Sequence, residues 1–318
     1  LTFPVSGVET FPLWPPLVAL AVSFFTSMGG LSGAFLLLPF QVSVLGFTSP
    51  AVSPTNLVFN IVAIPSGVWR YIREGRMSWP LTWVTVLGTL PGVFLGFFVR
   101  VRFLPDPGAF KLFVGLVLLY IGARLAHDIS GRGLRRRVVA KSQEADFTRR
   151  FREARQAGET GDPALTFRVK TLGISWRRVT YEFYGEVFSF NVPGLFLLSL
   201  AVGVIGGTYG IGGGAIIAPF IVSFFKLPVY TVAGAALSGT FLTSVAGVAF
   251  YSLIGPVYAP GLQVSPDWLL GGLFGLGGLA GMYLGARCQK HVPERIIKAI
   301  LAGALLFVAV RYVVQFFL

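Results

Sequence analysis

Gly206-Gly207-Thr208-Tyr209-Gly210-Ile211-Gly212-Gly213-Gly214 reads against Met28-Gly29-Gly30-Leu31-Ser32-Gly33 at a constant spacing, Gly210 over Gly30 and Gly213 over Gly33 (210 − 30 = 180). Glycine at this density is costly in an uninterrupted helix, because it loses more backbone freedom on folding than any other residue. Both stretches lie in apolar surroundings. There a broken helix frees N–H and C=O groups that only protein, water or a bound molecule can satisfy. The chain is therefore read as two related halves, each with one discontinuous helix.

The spacing holds outward from the glycines. Pro39-Phe40 matches Pro219-Phe220, Val52 matches Val232, Leu57 matches Leu237, Gly67-Val68 matches Gly247-Val248, Tyr71 matches Tyr251 and Gly75 matches Gly255. A gapless register across the glycine break and the following helix marks an internal repeat.

The sequence is 54% hydrophobic and 12% charged, with a mean hydropathy of +0.74. So much apolar side chain cannot be hidden in one water-soluble core, which makes lipid the solvent. Five apolar segments precede the middle, at residues 13–28, 31–47, 51–72, 79–99 and 109–126, and five follow it, at 193–208, 211–225, 230–253, 268–286 and 295–316. Their continuous runs lack the alternation of barrel strands, so helices are expected. The expected fold is an all-α polytopic membrane protein: two inverted-topology repeats of about five segments each, with glycine-broken helices. Its parts are a first transmembrane repeat at 1–127, a cytoplasmic linker and small α/β insert at 128–190, and a second transmembrane repeat at 191–318.

Charge sets the orientation. Arg70, Arg73 and Arg76 follow the third segment and Arg135-Arg136-Arg137 follow the fifth, whereas residues 252–267 contain no Lys or Arg and Arg287, Lys290, Arg295 and Lys298 flank the next turn. Equivalent loops thus fall on opposite faces, the pattern of inverted repeats. Arg100, Arg102 and Lys111 are placed outside and count against it. The net charge of +13 is read as topology anchoring and contact with anionic lipid headgroups, with no nucleic-acid signature. Residues 165–190 alternate β-formers with polar residues and predict a small sheet. Glu9 and the lack of a basic leader argue against a cleaved signal peptide at the start. Homodimerisation is left open.

The candidate chemistry is uncharged. Gly30, Ser32 and Gly33 in the first break, and Gly210, Gly212, Gly213 and Gly214 in the second, can bring helix N-terminal amides to an anion near the midplane. Asn56 and Asn60 share a helix face in the third segment, as do Thr240, Thr243 and Ser244 in the eighth, and Asn60 aligns with Thr240. Such groups donate to an oxyanion without burying a charge, although hydrogen bonding between helices fits each of them equally well.

These pieces resemble the TauE/SafE sulfite exporter family: a glycine-rich opening before Pro-Phe (30–40 and 210–220), a small-residue helix ending Gly-x-x-x-Tyr (67–71 and 247–251), and a later Gly-x-x-x-Gly (92–96 and 281–285). The likeness covers nearly the whole chain except residues 132–190. It implies a permease of the cell membrane, multi-pass with the central basic segment cytoplasmic, that exports sulfite, sulfoacetate or a related sulfur oxyanion or organosulfonate. The first half carries Ser32-Gly33-Ala34 where the second has Gly212-Gly213-Gly214, a departure from the family pattern.

Other classes draw less support. Single Cys288 excludes an internal disulfide or a cysteine-rich metal site, His127 and His291 lie at span ends, and no nucleophile–base pair is visible, so neither an enzyme nor a cofactor is expected. No acidic residue falls mid-span, which predicts transport without sodium. A uniporter for another small carboxylate, and a membrane receptor or scaffold, are the remaining alternatives.

Overall fold

The computed structural model describes residues 2–28, 32–73, 75, 77–129, 169–183, 185–288 and 294–318. The first half contains α1 (Trp14–Met28), α2 (Ala34–Ser43), α3 (Val52–Ala63), α4 (Pro65–Arg73), α5 (Trp79–Phe98), which runs on into a π-helix (Val99–Phe103), and α6 (Pro107–Ile129). A sheet of β1 (Lys170–Ile174), β2 (Arg178–Phe183) and β3 (Glu186–Asn191) follows. The second half contains α7 (Val192–Tyr209), α8 (Gly214–Phe224), α9 (Val229–Leu253), α10 (Gly255–Tyr258), α11 (Trp268–Cys288) and α12 (Glu294–Phe317).

Among the described residues, six helices are long and apolar enough to cross a membrane, at 79–103, 107–127, 192–209, 231–253, 268–285 and 296–317. This makes the chain a multi-pass membrane protein. Four of the ten expected segments are shorter. α1 has 15 residues, α2 has 10 and α8 has 11, and α2 at 1.5 Å per residue reaches only about half-way through a bilayer. The third segment divides at Ile64-Pro65, because a proline there has no N–H for the helical ladder. Its counterpart α9 carries Val245 at that position and stays continuous.

Small residues set the packing, as expected where lipid supplies no hydrophobic drive between helices. Gly277, Gly281 and Gly285 of α11 press on the backbone of Pro16, Leu20 and Phe24 in α1. Gly88, Gly92 and Gly96 of α5 press on Phe196, Leu200 and Val204 in α7, and a Cβ on Gly96 would come within 2.6 Å of Val204 O. Each partner in α7 lies 180 residues beyond its equivalent in α1 (196 − 16 = 180), so the two contacts are copies, and each joins one half to the other.

Direction follows from the same contacts. Both glycine ladders ascend together with their partners, so α1 runs with α11 and α5 with α7. Gly271 and Gly275 meet Val58 and Val62, which aligns α3 with α11; Gly239 and Gly247 meet Thr85 and Val93, which aligns α9 with α5. Equivalent helices α3 and α9, continued by α4, instead run against each other, for Gly247 meets Leu57 while Gly234 meets Tyr71. α6 and α12 do the same, through Gly115 against Tyr312 and Gly122 against Leu306.

The antiparallel sheet, ordered β1-β2-β3, fulfils the expectation of strands between 165 and 190. Val179, Tyr181 and Phe183 turn inward from β2, and the Tyr181 hydroxyl shares a hydrogen bond of 2.9 Å with Thr231 Oγ1 at the start of α9. Val169 N donates to Gly75 O, which fixes the sheet at the end of the bundle where α4 stops and α5 begins. Arg135-Arg136-Arg137, Arg76 and Lys290 lie outside the described residues. Arg100, placed by its sequence position on the outer side, is fully buried on the π-helix.

Candidate functional site

α7 ends because Gly210 takes a left-handed backbone (φ +87°) and Gly212 does so again (φ +78°), conformations that side-chain-bearing residues rarely adopt. Cutting the helix there leaves the carbonyls of Gly210 and Ile211 without helical partners. The other half supplies the donors. Asn56 Nδ2 donates to Gly210 O at 2.8 Å and to Ala34 O at 3.1 Å; Asn60 Nδ2 donates to Ile211 O at 2.9 Å and to Ser244 Oγ at 3.3 Å. One turn apart on α3, the two amides clamp consecutive carbonyls.

The acceptor ends are held as well. Gln41 donates to Asn56 Oδ1 at 3.3 Å, and Ser32 Oγ donates to Asn60 Oδ1 at 3.1 Å while accepting from Ala34 N at 3.3 Å. Gly213 N donates to Thr243 Oγ1 at 3.2 Å, opening α8. Tyr209 OH donates to Phe35 O at 2.9 Å and Ser53 Oγ to Thr208 O at 3.3 Å, so α2, α3 and α7 share one network. Asn56, Asn60, Gln41, Ser53, Thr243 and Ser244 are fully excluded from solvent.

Ser32, Gly33, Asn56, Asn60, Gly210, Gly212, Gly213, Gly214, Thr240, Thr243 and Ser244 are thus neighbours at the crossing of the two breaks; Gly30 lies outside the described residues. Gly212 and Gly214 lie against Thr240, and Gly33 against Ser23 and Phe59. The halves are unequal here. Asn56 and Asn60 correspond to Ala236 and Thr240, and the Thr240 hydroxyl turns back to Ala236 O at 2.8 Å. Among the described residues, the clamp is made by the first half on the second half's break.

Sequence reading overlooked a row of hydroxyls. Ser78, Thr82, Thr85 and Thr89 recur at helical spacing on one face of α5, and all are buried. Thr89 reaches the crossing, where a Cβ on Gly213 would meet its Cβ at 2.7 Å. Thr82 donates to Ser78 O at 2.9 Å and Thr89 to Thr85 O at 2.7 Å. The hydroxyls of Ser78, Thr85 and Ser23, with Gln41 Oε1, are buried without a partner among the described residues. Buried polar atoms are nearly always satisfied, so these orphans are unusual; Ser23 faces Gly33 and Thr85 faces Gly239, close to the crossing, whereas Ser78 lies at the far start of α5. The spacing on α5 was the available signal.

Asp267 is buried at the start of α11, where Oδ1 accepts from Leu270 N at 3.0 Å and Oδ2 from Ser6 Oγ at 2.8 Å. It caps that helix. Among the described residues no group of three His, Cys, Asp or Glu side chains could hold a metal ion.

The sequence model of the sulfite exporter TauE/SafE family matches residues 16–312. The probable membrane transporter protein YunE of Bacillus subtilis is 21% identical over 296 residues, 91% of this chain and 92% of its own length. The probable membrane transporter protein YdhB of the same organism is 27% identical over 127 residues, 39% of this chain and 47% of its own. The match to YdhB thus spans about half the length of that relative. None of the solved structures matches the chain.

Proposed function

The chain belongs to the sulfite exporter TauE/SafE family of membrane transporters, and from that membership we propose that it exports a small sulfur oxyanion, sulfite, sulfoacetate or a related organosulfonate, across the cell membrane through the crossing of its two glycine breaks. The observation that carries this reading is the Asn56–Asn60 clamp on the carbonyls of Gly210 and Ile211. It is a dense set of uncharged donors, buried in an apolar bundle, near the hydroxyls of Ser23 and Thr85, which lack partners among the described residues. An anion arriving there finds donors without meeting a buried negative charge.

In the conformation described, each Asn amide spends both of its protons on protein acceptors. Transport therefore needs an exchange: as α7 and α8 shift against α3, the amides leave the carbonyls and take up the anion, with Gly213 N and the first turn of α8 alongside. The antiparallel pairing of α3 with α9 and of α6 with α12 supports two inverted repeats that rock about the site. With the basic sheet end in the cytoplasm, the anion enters along Ser78, Thr82, Thr85 and Thr89. Facilitated diffusion of a small carboxylate is the alternative, since it uses the same donors. No step requires an enzyme or a cofactor.

The test is flux of sulfite, thiosulfate, sulfoacetate and acetate into proteoliposomes of the purified protein, with and without a sodium gradient. Saturable flux of the sulfur anions, kept when the gradient is removed, is expected. Equal permeability to all four anions, or none to any, would overturn the reading.

A further inference from the structure

We infer that Arg100 forms a second oxyanion-binding site, at the end of the bundle opposite the sheet, which takes the anion as it leaves or enters the crossing. Its role rests on the anion-carrier reading; its capacity to bind does not. Arg100 is fully buried, on the π-helix that ends α5. Short π-helical insertions of this kind recur at functional sites because they redirect a side chain that a regular helix would leave outside. Its guanidinium lies 3.7 Å over the Phe110 ring centroid, and Nη1 donates to Leu104 O.

The other side of the fork meets no hydrogen-bonding group among the described residues. Among the described residues, Nε and Nη2 are buried with no hydrogen-bond partner and no carboxylate pairs with the charge. These two nitrogens form the side-on edge of the guanidinium, whose parallel N–H bonds match two oxygens of a sulfonate, sulfite or phosphate group. An unpaired buried charge in a membrane protein is expensive, and it persists where it meets a ligand.

The surroundings connect the fork to the crossing. Tyr251 lies within electrostatic range of Arg100, is held edge-on by Phe97 at 4.9 Å, and reaches Gly207 O at 3.5 Å in the last turns of α7. Ser53, beside the Tyr251 hydroxyl, bonds Thr208 O and lies against Gly210. The path Arg100, Tyr251, Ser53, Gly210 therefore joins the fork to the clamped carbonyls. A buried, unpaired guanidinium at this end and a row of buried hydroxyls at the other make the two entrances unlike.

The same fork would take a free oxyanion or the phosphate of a lipid. Full burial favours the free oxyanion, because a headgroup held at the bilayer surface cannot reach it. The test is thermal stabilisation of the purified protein in uncharged detergent by sulfite, methanesulfonate and inorganic phosphate, and separately by phosphatidylglycerol micelles, for wild type, Arg100→Met and Arg100→Lys. Methionine removes an unpaired buried charge at similar volume and is expected to fold; lysine keeps the charge but lacks the side-on pair.

Saturable stabilisation of the wild type by the free oxyanions, weakened about tenfold or more in Arg100→Lys as the bidentate contact is lost, and absent from Arg100→Met, supports the site. If Arg100→Met fails to fold, the lysine variant alone decides. Unchanged oxyanion binding in Arg100→Lys, no oxyanion binding in the wild type, or stabilisation by phosphatidylglycerol alone would each overturn it. Flux of the wild type, measured separately, tells failure of this site from failure of the carrier reading.

Discussion

The amide nitrogen of Asn60 stands 2.9 Å from the carbonyl oxygen of Ile211, although 151 residues separate them in the chain. That bond ties an intact helix of one half to the helix break of the other. It explains why a glycine-rich interruption can sit in the centre of a bundle: the carbonyls it frees are met by side chains that repeat one turn apart.

The unpartnered hydroxyl of Thr85 separates function from folding. Thr85→Val keeps the shape and removes a buried polar atom that makes no hydrogen bond, so stability is expected to hold or to rise by about 1 kcal/mol. Sulfite flux is expected to fall severalfold. A melting curve and a flux assay on the same preparation check both, and full flux in a stable Thr85→Val protein would remove the hydroxyl row from the pathway.

Packing glycines are expected to behave differently. Gly281→Ala drives a methyl group into the backbone at Leu20, whereas a Cβ on Gly303 in α12 meets nothing within 4 Å. Overpacking costs on the order of 1–3 kcal/mol, and Gly303→Ala is expected to be neutral or to stabilise by up to about 1 kcal/mol. Thermal unfolding in detergent distinguishes the two. Equal melting temperatures would mean that α1 and α11 yield easily at their contact.

The repeat spacing was legible in sequence because close helix approach accepts only small residues, so the same glycines recur in both halves. Asn56 and Asn60 stood out as polar groups among apolar ones. Their partners did not, since Gly210 O and Ile211 O are backbone atoms that no residue type announces. Pro65 was visible, but whether a proline kinks or divides a segment depends on what packs beside it. The burial of Arg100 was not legible, because nothing in the sequence announces the π-helical turn that carries it. A rule that counts charges near span ends assumes that they face water.

The sheet offers a pH test. Burial pushes the Tyr181 phenol up to about 12, with the hydrogen bond to Thr231 opposing the shift. The folded form therefore holds this proton more tightly than the unfolded one, whose phenol titrates at its ordinary value of 10.0. The contribution of docking is present in full below pH 10 and lost as the pH rises to about 12. Hydrogen exchange of β2 amides should accelerate across that window in the wild type. Tyr181→Phe should lack this step; an identical step in both proteins would assign it to another group.

Orientation is tested by labelling. Tyr181 joins the sheet to Thr231 at the start of α9, and the loop around Ala259 follows its end. A helix of 25 residues separates them by roughly 37 Å. In a variant with Cys288 replaced, a cysteine at Ala259 should react with an impermeant thiol reagent from outside intact cells. One at exposed Trp176 should react only after the cells are opened. Labelling of both from one side would contradict the inverted arrangement.

The most direct measurement is sulfite uptake into proteoliposomes containing wild type, Asn60→Leu or Gly303→Ala at matched amounts of monodisperse protein. Leucine preserves bulk and deletes the donor to Ile211 O; losing one such bond to a desolvated anion costs about 1–3 kcal/mol, or roughly five- to 150-fold in rate. The account predicts saturable uptake by wild type and Gly303→Ala, and at least about a fivefold loss in Asn60→Leu. Undiminished uptake by folded Asn60→Leu would contradict it and place the anion's path away from the crossing of the two glycine breaks.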